Sequence, residues 1–155
     1  MNIHKLFTLL RSPRPLEAPA SESSKAFTVS SGVFVQLELS RGEVDQAVHL
    51  HLEWCALLKR QLAADPNVGP LPAALPEAEQ SGLGQWIASH SQGELAQHPQ
   101  MVELALENRR IHRLAHEAID FARNQRLDLA SSLLNLQFER SRSRMLQLLH
   151  LLQKT

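Results

Sequence analysis

The sequence predicts an all-α fold, a four-helix bundle with a short second helix and a flexible N-terminal segment. Three observations carry this. Apolar residues recur at the i, i+3, i+4, i+7 spacing over long stretches, the prolines cluster between those stretches, and no two neighbouring segments alternate with the turn chemistry a sheet requires. With 155 residues and 43% hydrophobic composition, the chain can bury one core. The expected organisation is a tail and lead-in over residues 1–39 and a helical bundle over 40–155.

The elements follow in order. Residues 1–10 place Ile3, Leu6, Phe7 and Leu10 on one helical face, which suits either a small docking helix or a frayed end. Residues 11–25 carry Pro13, Pro15 and Pro19 among serines and charges, and read as a linker. Val33, Val35, Leu37 and Leu39 alternate like a strand, but without a partner strand nearby this stretch is expected to be an irregular lead-in or an early helical turn. Ser40 and Glu43 then have the S-x-x-E form of a capping box. The first helix buries Val44, Ala47, Val48, His51, Trp54, Cys55, Leu58 and Leu62, turns His49 to solvent, and stops near Asp65 and Pro66.

Pro66, Gly69, Pro70, Pro72 and Pro76 preclude regular structure, so an extended surface connection is expected. Ser81, Gly82 and Gly84 lead into a short helix carrying Trp86 and Ile87. A third helix from about Glu94 to Asn124 tolerates Pro99 only in its first turns. It presents the stripe Met101, Leu104, Ala105, Asn108, Ile111, His112, Ala115, His116, Ile119 and Ala122 to the core. The last helix, Arg126 to Gln153, buries Leu127, Ala130, Leu134, Phe138, Ser141, Met145, Leu148 and Leu152.

Charge excludes some functions. Sixteen basic and sixteen acidic residues balance, which argues against a nucleic-acid or anionic-membrane ligand. No apolar run is long enough to span a bilayer, no secretory signal is visible, and a lone cysteine, Cys55, precludes an internal disulfide, so a cytoplasmic location is expected. The chain holds eight histidines. His112 and His116 stack one turn apart on an apolar face, a spacing that lets two imidazoles share a metal ion and that also occurs between hydrogen-bonded core histidines.

Three separated pieces, His51 with Trp54, then Ser81-x-Leu83-Gly84-x-Trp86, then His112-x-x-x-His116, together resemble the chemoreceptor zinc-binding (CZB) domain family over residues 43–150. The resemblance implies a zinc site inside a four-helix bundle with His51, His112 and His116 as ligands, and Gly84 and Trp86 matching the middle motif. Where that family has its cysteine ligand, this chain has Ser81. Neutral serine is a poor zinc ligand beside a thiolate. The expectation is therefore Zn2+ held by three histidines and a water at the Ser81 position; the alternatives are that Cys55 reaches in as fourth ligand, or that metal has been lost.

Other residues are assigned structural or solvent roles. His4, His49, His90, His98 and His150 are expected at the surface or at helix ends, Trp54 and Trp86 as core anchors, and Glu117 and Asp120 as surface carboxylates that lie near enough to orient an imidazole. The function implied is a zinc-binding sensor module, not an enzyme, that transmits metal occupancy to a signalling partner in trans, of the chemoreceptor or diguanylate cyclase type. A homodimer is implied as well, with Val102, Leu106, Leu114, Ala118 and Phe121 as a second stripe that serves either a dimer or the packing of helix four. The alternatives are a metal-free helical adaptor and a three-histidine zinc hydrolase. A di-iron bundle lacks its carboxylate set on the first helix.

Overall fold

The structure, a computed structural model, describes residues 39–65 and 68–153. They belong to a compact unit running from Leu37 to Thr155. The expected docking helix, the linker, His4 and most of the alternating lead-in lie outside the described residues.

Helix α1, Arg41–Ala63, starts where its capping box places it: Ser40 Oγ accepts from the Glu43 amide at 3.3 Å, and the Glu43 carboxylate accepts from the Ser40 amide at 2.7 Å. Seven of its eight expected core positions are buried, Val48 being half-buried, and Gln61 joins them. Ahead of the helix, Leu39 ends the alternating stretch. Its amide donates to the Leu152 carbonyl at 2.8 Å, forming an isolated bridge that ties the entry of the chain to the end of its last helix.

The proline-rich connector does not merely cross the surface. Leu75 and Ala78 are 5% exposed, and bundle side chains seize its carbonyls. Gln61 donates to Ala73 and Pro72, Trp54 Nε1 and His112 Nδ1 to Pro76 at 3.4 and 3.0 Å, and Asn108 Nδ2 to Ala78 at 3.1 Å. The physical reason is that proline removes amide donors but keeps its acceptor, so a proline-rich strand packs best against donors.

Helix α2, Gly82–His90, is capped by Ser81. Gly84 is required there, because a Cβ on it would lie 1.8 Å from the Ala78 carbonyl oxygen. The third helix is shorter than expected. Gly93–Gln97 forms a separate 3-10 turn and α3 runs Pro99–Arg123, because proline has no amide to continue the turn and holds His98 extended at φ −67°, ψ 123°. The last helix is interrupted: α4, Leu127–Leu133, passes through a π-helical turn, Leu134–Phe138, into α5, Glu139–Leu151. Core positions at Ala130, Leu134 and Phe138 fall four apart, overshooting the 3.6-residue repeat, and the wider turn absorbs the excess.

The result is an all-α bundle of four helical rods, with no strand among the described residues beyond the single bridge. No helix among them is long and apolar enough to cross a membrane. Polar cross-links tie α3 to α5, where Arg144 pairs with Glu103 at 2.6 Å and Ser141 donates to Glu107. On the second stripe of α3, Leu114 and Ala118 are buried within the chain itself, while Val102 and Leu106 are 46% and 54% exposed.

Candidate metal centre

The α1 stripe carries His51 into the core, where it is 1% exposed. Its Nε2 lies 3.3 Å from the Sγ of Cys55, one turn further along the same helix. Burial is the main force on both groups. It pushes His51 down to about 3, helped by the Arg142 guanidinium and by His112, and pushes the Cys55 thiol up to about 11 against the opposing pull of Arg142. Both are therefore neutral at physiological pH. Arg142 is itself 6% exposed, pairs with Glu139 at 3.2 Å, and has a buried Nε with no hydrogen-bond partner.

From α3, His112 enters the same core at 3% exposure, its ring centroid 4.1 Å from that of Trp54. Burial pushes it down to about 4, the Pro76 hydrogen bond opposing and the neighbouring His116 adding to the effect. Its tautomer follows from its partner. A carbonyl can only accept, so Nδ1 carries the proton toward Pro76 and the lone pair of the neutral ring sits on Nε2. Metal-bound histidines are usually oriented this way, with the other ring N–H given to a carbonyl or carboxylate.

His116 does not point into the core as expected. One turn beyond His112, the helix surface turns toward the connector, leaving the side chain 37% exposed, with Nε2 at 3.5 Å from Oε1 of Glu77. That nitrogen is itself buried and makes no hydrogen bond. His112, His116 and Glu77 line one cleft of about 400 Å³ together with Glu79, Arg109 and Arg113.

Ser81, the position of the missing cysteine, has its hydroxyl occupied: it donates to the Ala78 carbonyl at 2.8 Å and accepts from the Gly84 amide at 3.0 Å. Thus His51 is brought to Cys55, and His112 and His116 to one cleft with Glu77, with His112 close enough to depress the protonation of His51. Among the described residues, no three His, Cys, Asp or Glu side chains are gathered around a single point that could hold an ion. Trp54 lies near both groups, with its ring centroid 6.3 Å from that of His51 and 4.1 Å from that of His112.

The remaining histidines fall at the surface or at helix ends. His49 is exposed beside Glu53 at 3.3 Å, His90 closes α2 stacked on Trp86, His98 precedes α3, and His150 is exposed near the end of α5. Glu117 and Asp120 are exposed. The carboxylate that faces His116 is Glu77, which sequence reasoning missed; its signal was a carboxylate directly after Pro76 and four residues before Ser81. Arg142 carried no such signal, standing beside the stripe residue Ser141 as one charge among many. Compared with known proteins, the chain matches no family model, no curated protein and no solved structure.

Proposed function

We propose that this chain is a zinc-binding regulatory module of the chemoreceptor zinc-binding kind, without catalytic activity of its own. His51 on α1 and His112 and His116 on α3 are the residues that would hold the ion. The observation that carries this reading is His112: a buried, neutral imidazole whose Nδ1 proton is committed to Pro76 and whose Nε2 lone pair is left free, one turn from a second imidazole with an orphaned nitrogen. Neutral imidazole is the ligand form, so no proton competes at His51 or His112 at neutral pH.

An ion shared between α1 and α3 would tie two helices together and add its binding free energy to the folded state. A partner that prefers one packing of the bundle then senses metal occupancy. On this reading the module acts in trans, in the cytoplasm and as a homodimer, on a signalling protein of the chemoreceptor or diguanylate cyclase type. The exposed Val102 and Leu106 on α3 are the residues available to such a contact.

A metal-free helical adaptor is the second reading, favoured by one observation: His51 already has Cys55 as its partner, and the three histidines are not gathered around one point. Metal analysis of the full chain, purified without added zinc, separates the two. The regulatory reading expects close to one zinc per chain or per dimer; protein that is metal-free and stays so after incubation with zinc and desalting supports the adaptor.

A further inference from the structure

We infer that the groove between α2 and α3, beside the connector, binds a compact neutral aromatic molecule carrying one N–H or O–H donor, with the side-chain carbonyl of Asn108 as the acceptor that selects it. The inference goes beyond the metal-binding reading and does not depend on it.

Asn108 stands on the buried stripe of α3 between Leu104 and Ile111 and is 4% exposed. A buried amide costs free energy unless both its donor and its acceptor are satisfied. The donor is: Nδ2 gives a hydrogen bond to the Ala78 carbonyl at 3.1 Å. That bond fixes the orientation of the amide, because a carbonyl only accepts. Oδ1 is left without a partner among the described residues and, unlike Trp86 Nε1 or Arg142 Nε, is not sealed from solvent. The side chain lines a groove of about 240 Å³, and the free acceptor opens there.

The lining sets the ligand. Ala78, Gly84, Ile87, Ala88 and Ala105 make the walls apolar and, Ile87 apart, leave little side chain between the two helices. A flat ring lies against such walls and buries most of its area. At the mouth Glu79 and Arg109 stand 4.0 Å apart and offset each other's charge, which favours a neutral guest over an ion of either sign. The volume falls below the roughly 300 Å³ at which sites for drug-sized ligands begin, so the guest is limited to one ring or two fused ones. The Ala78 carbonyl does not compete for the guest's donor, since it already accepts from Asn108 Nδ2 and from Ser81 Oγ at 2.8 Å. A phenol or an indole meets these conditions. Held there, it touches α2, α3 and the connector at once and completes the hydrogen bonding of Asn108.

The test is a titration of the full chain, labelled with 15N, with indole and with 1-methylindole, and in parallel with phenol and with anisole, in excess chelator and again in zinc. Each pair keeps the ring and removes the donor. Indole and phenol should bind on the millimolar scale of ligands this small, shifting the Asn108 side-chain amide signals and the backbone amides of Ala88 and Ala105. Their methylated counterparts should bind about tenfold more weakly, the scale of a buried acceptor left unpaired. Ala88→Leu and Ala105→Leu, which fill the groove from positions that are not fully buried, should each abolish binding. No shift up to about 10 mM overturns the inference, since the groove then holds water alone. Equal binding of indole and 1-methylindole overturns it as well, because Asn108 would then select nothing. Binding that survives both filled variants places the ligand elsewhere and also overturns it. None of these results bears on zinc, so the metal-binding reading stands or falls separately.

Discussion

His51 and His112 are buried to nearly the same depth, 1% and 3% exposed, and burial holds both neutral, yet they differ in what they could give up. His51 faces a thiol on its own helix, so its one short polar contact closes on itself in the core. His112 donates from Nδ1 to a carbonyl on the connector, keeps its lone pair on Nε2, and lines the cleft beside the connector. Desolvation fixes the protonation state of an imidazole, but the partner of its other nitrogen decides whether the ring is available to a ligand.

Acid should expose the shared part of this comparison and produce the largest effect. Both histidines have folded-state values, about 3 and about 4, below the usual 6.5. Above 6.5 neither the folded nor the unfolded chain protonates them, and their stabilising contribution is complete. Below it only the unfolded chain takes up the protons, so stability falls by about 1.4 kcal/mol per pH unit for each histidine until the folded values are reached. Urea unfolding between pH 7 and 4.5 in the presence of chelator should show this decline, several kcal/mol in all, and His112→Gln should make it shallower. A flat profile would mean that the rings are solvated in the native state.

Trp54 is buried near both histidines, and Trp54→Ala should cost about 3–5 kcal/mol, as for other buried aromatic truncations. It removes a ring packed near His51 and His112 and one of the two donors to Pro76. A loss below that range in denaturant unfolding would show that the neighbours collapse into the space.

Gly84→Ala tests the connector side alone. A Cβ 1.8 Å from the Ala78 oxygen must push α2 and the connector apart, at a cost of about 1–3 kcal/mol, the usual scale of overpacking. Protection of the connector amides in hydrogen exchange should fall, with α1 around His51 unaffected.

The smallest effect is expected at Ser81. Ser81→Ala removes the cap of α2 and should cost about 1 kcal/mol, while zinc affinity stays unchanged because the hydroxyl serves the helix end. Weakened zinc binding in this variant would place residue 81 on the metal.

The stretches that were legible from sequence are those where local chemistry and periodicity agree. The Ser40–Glu43 box fixed the start of α1, the stripe from Val44 to Leu62 fixed its buried face, and the spacing of His112 and His116 fixed their common side of α3. What was not legible depends on segments distant in sequence. Nothing local says that Pro76 will offer its carbonyl to Trp54 and His112, or that Glu77 will thereby come against His116. The depth of His116 was misjudged for a related reason: helical periodicity gives direction around an axis but not how far the neighbouring element extends, and at that turn the connector leaves the side chain partly open. The π turn before Glu139 sets the register of Arg142 beside His51, and spacing alone shows only that an adjustment was needed.

The central claim, that the folded bundle is linked to zinc through its α3 histidines, is tested most directly by the melting temperature of the full chain. It should be measured in rising free zinc and again with excess chelator, for wild type and His112→Ala. At free zinc a hundred times Kd the gain should be about 2.7 kcal/mol, on the order of 10 °C for a domain of this size, reversed by chelator and absent from His112→Ala. A wild-type melting temperature that is the same in zinc and in chelator would contradict the account.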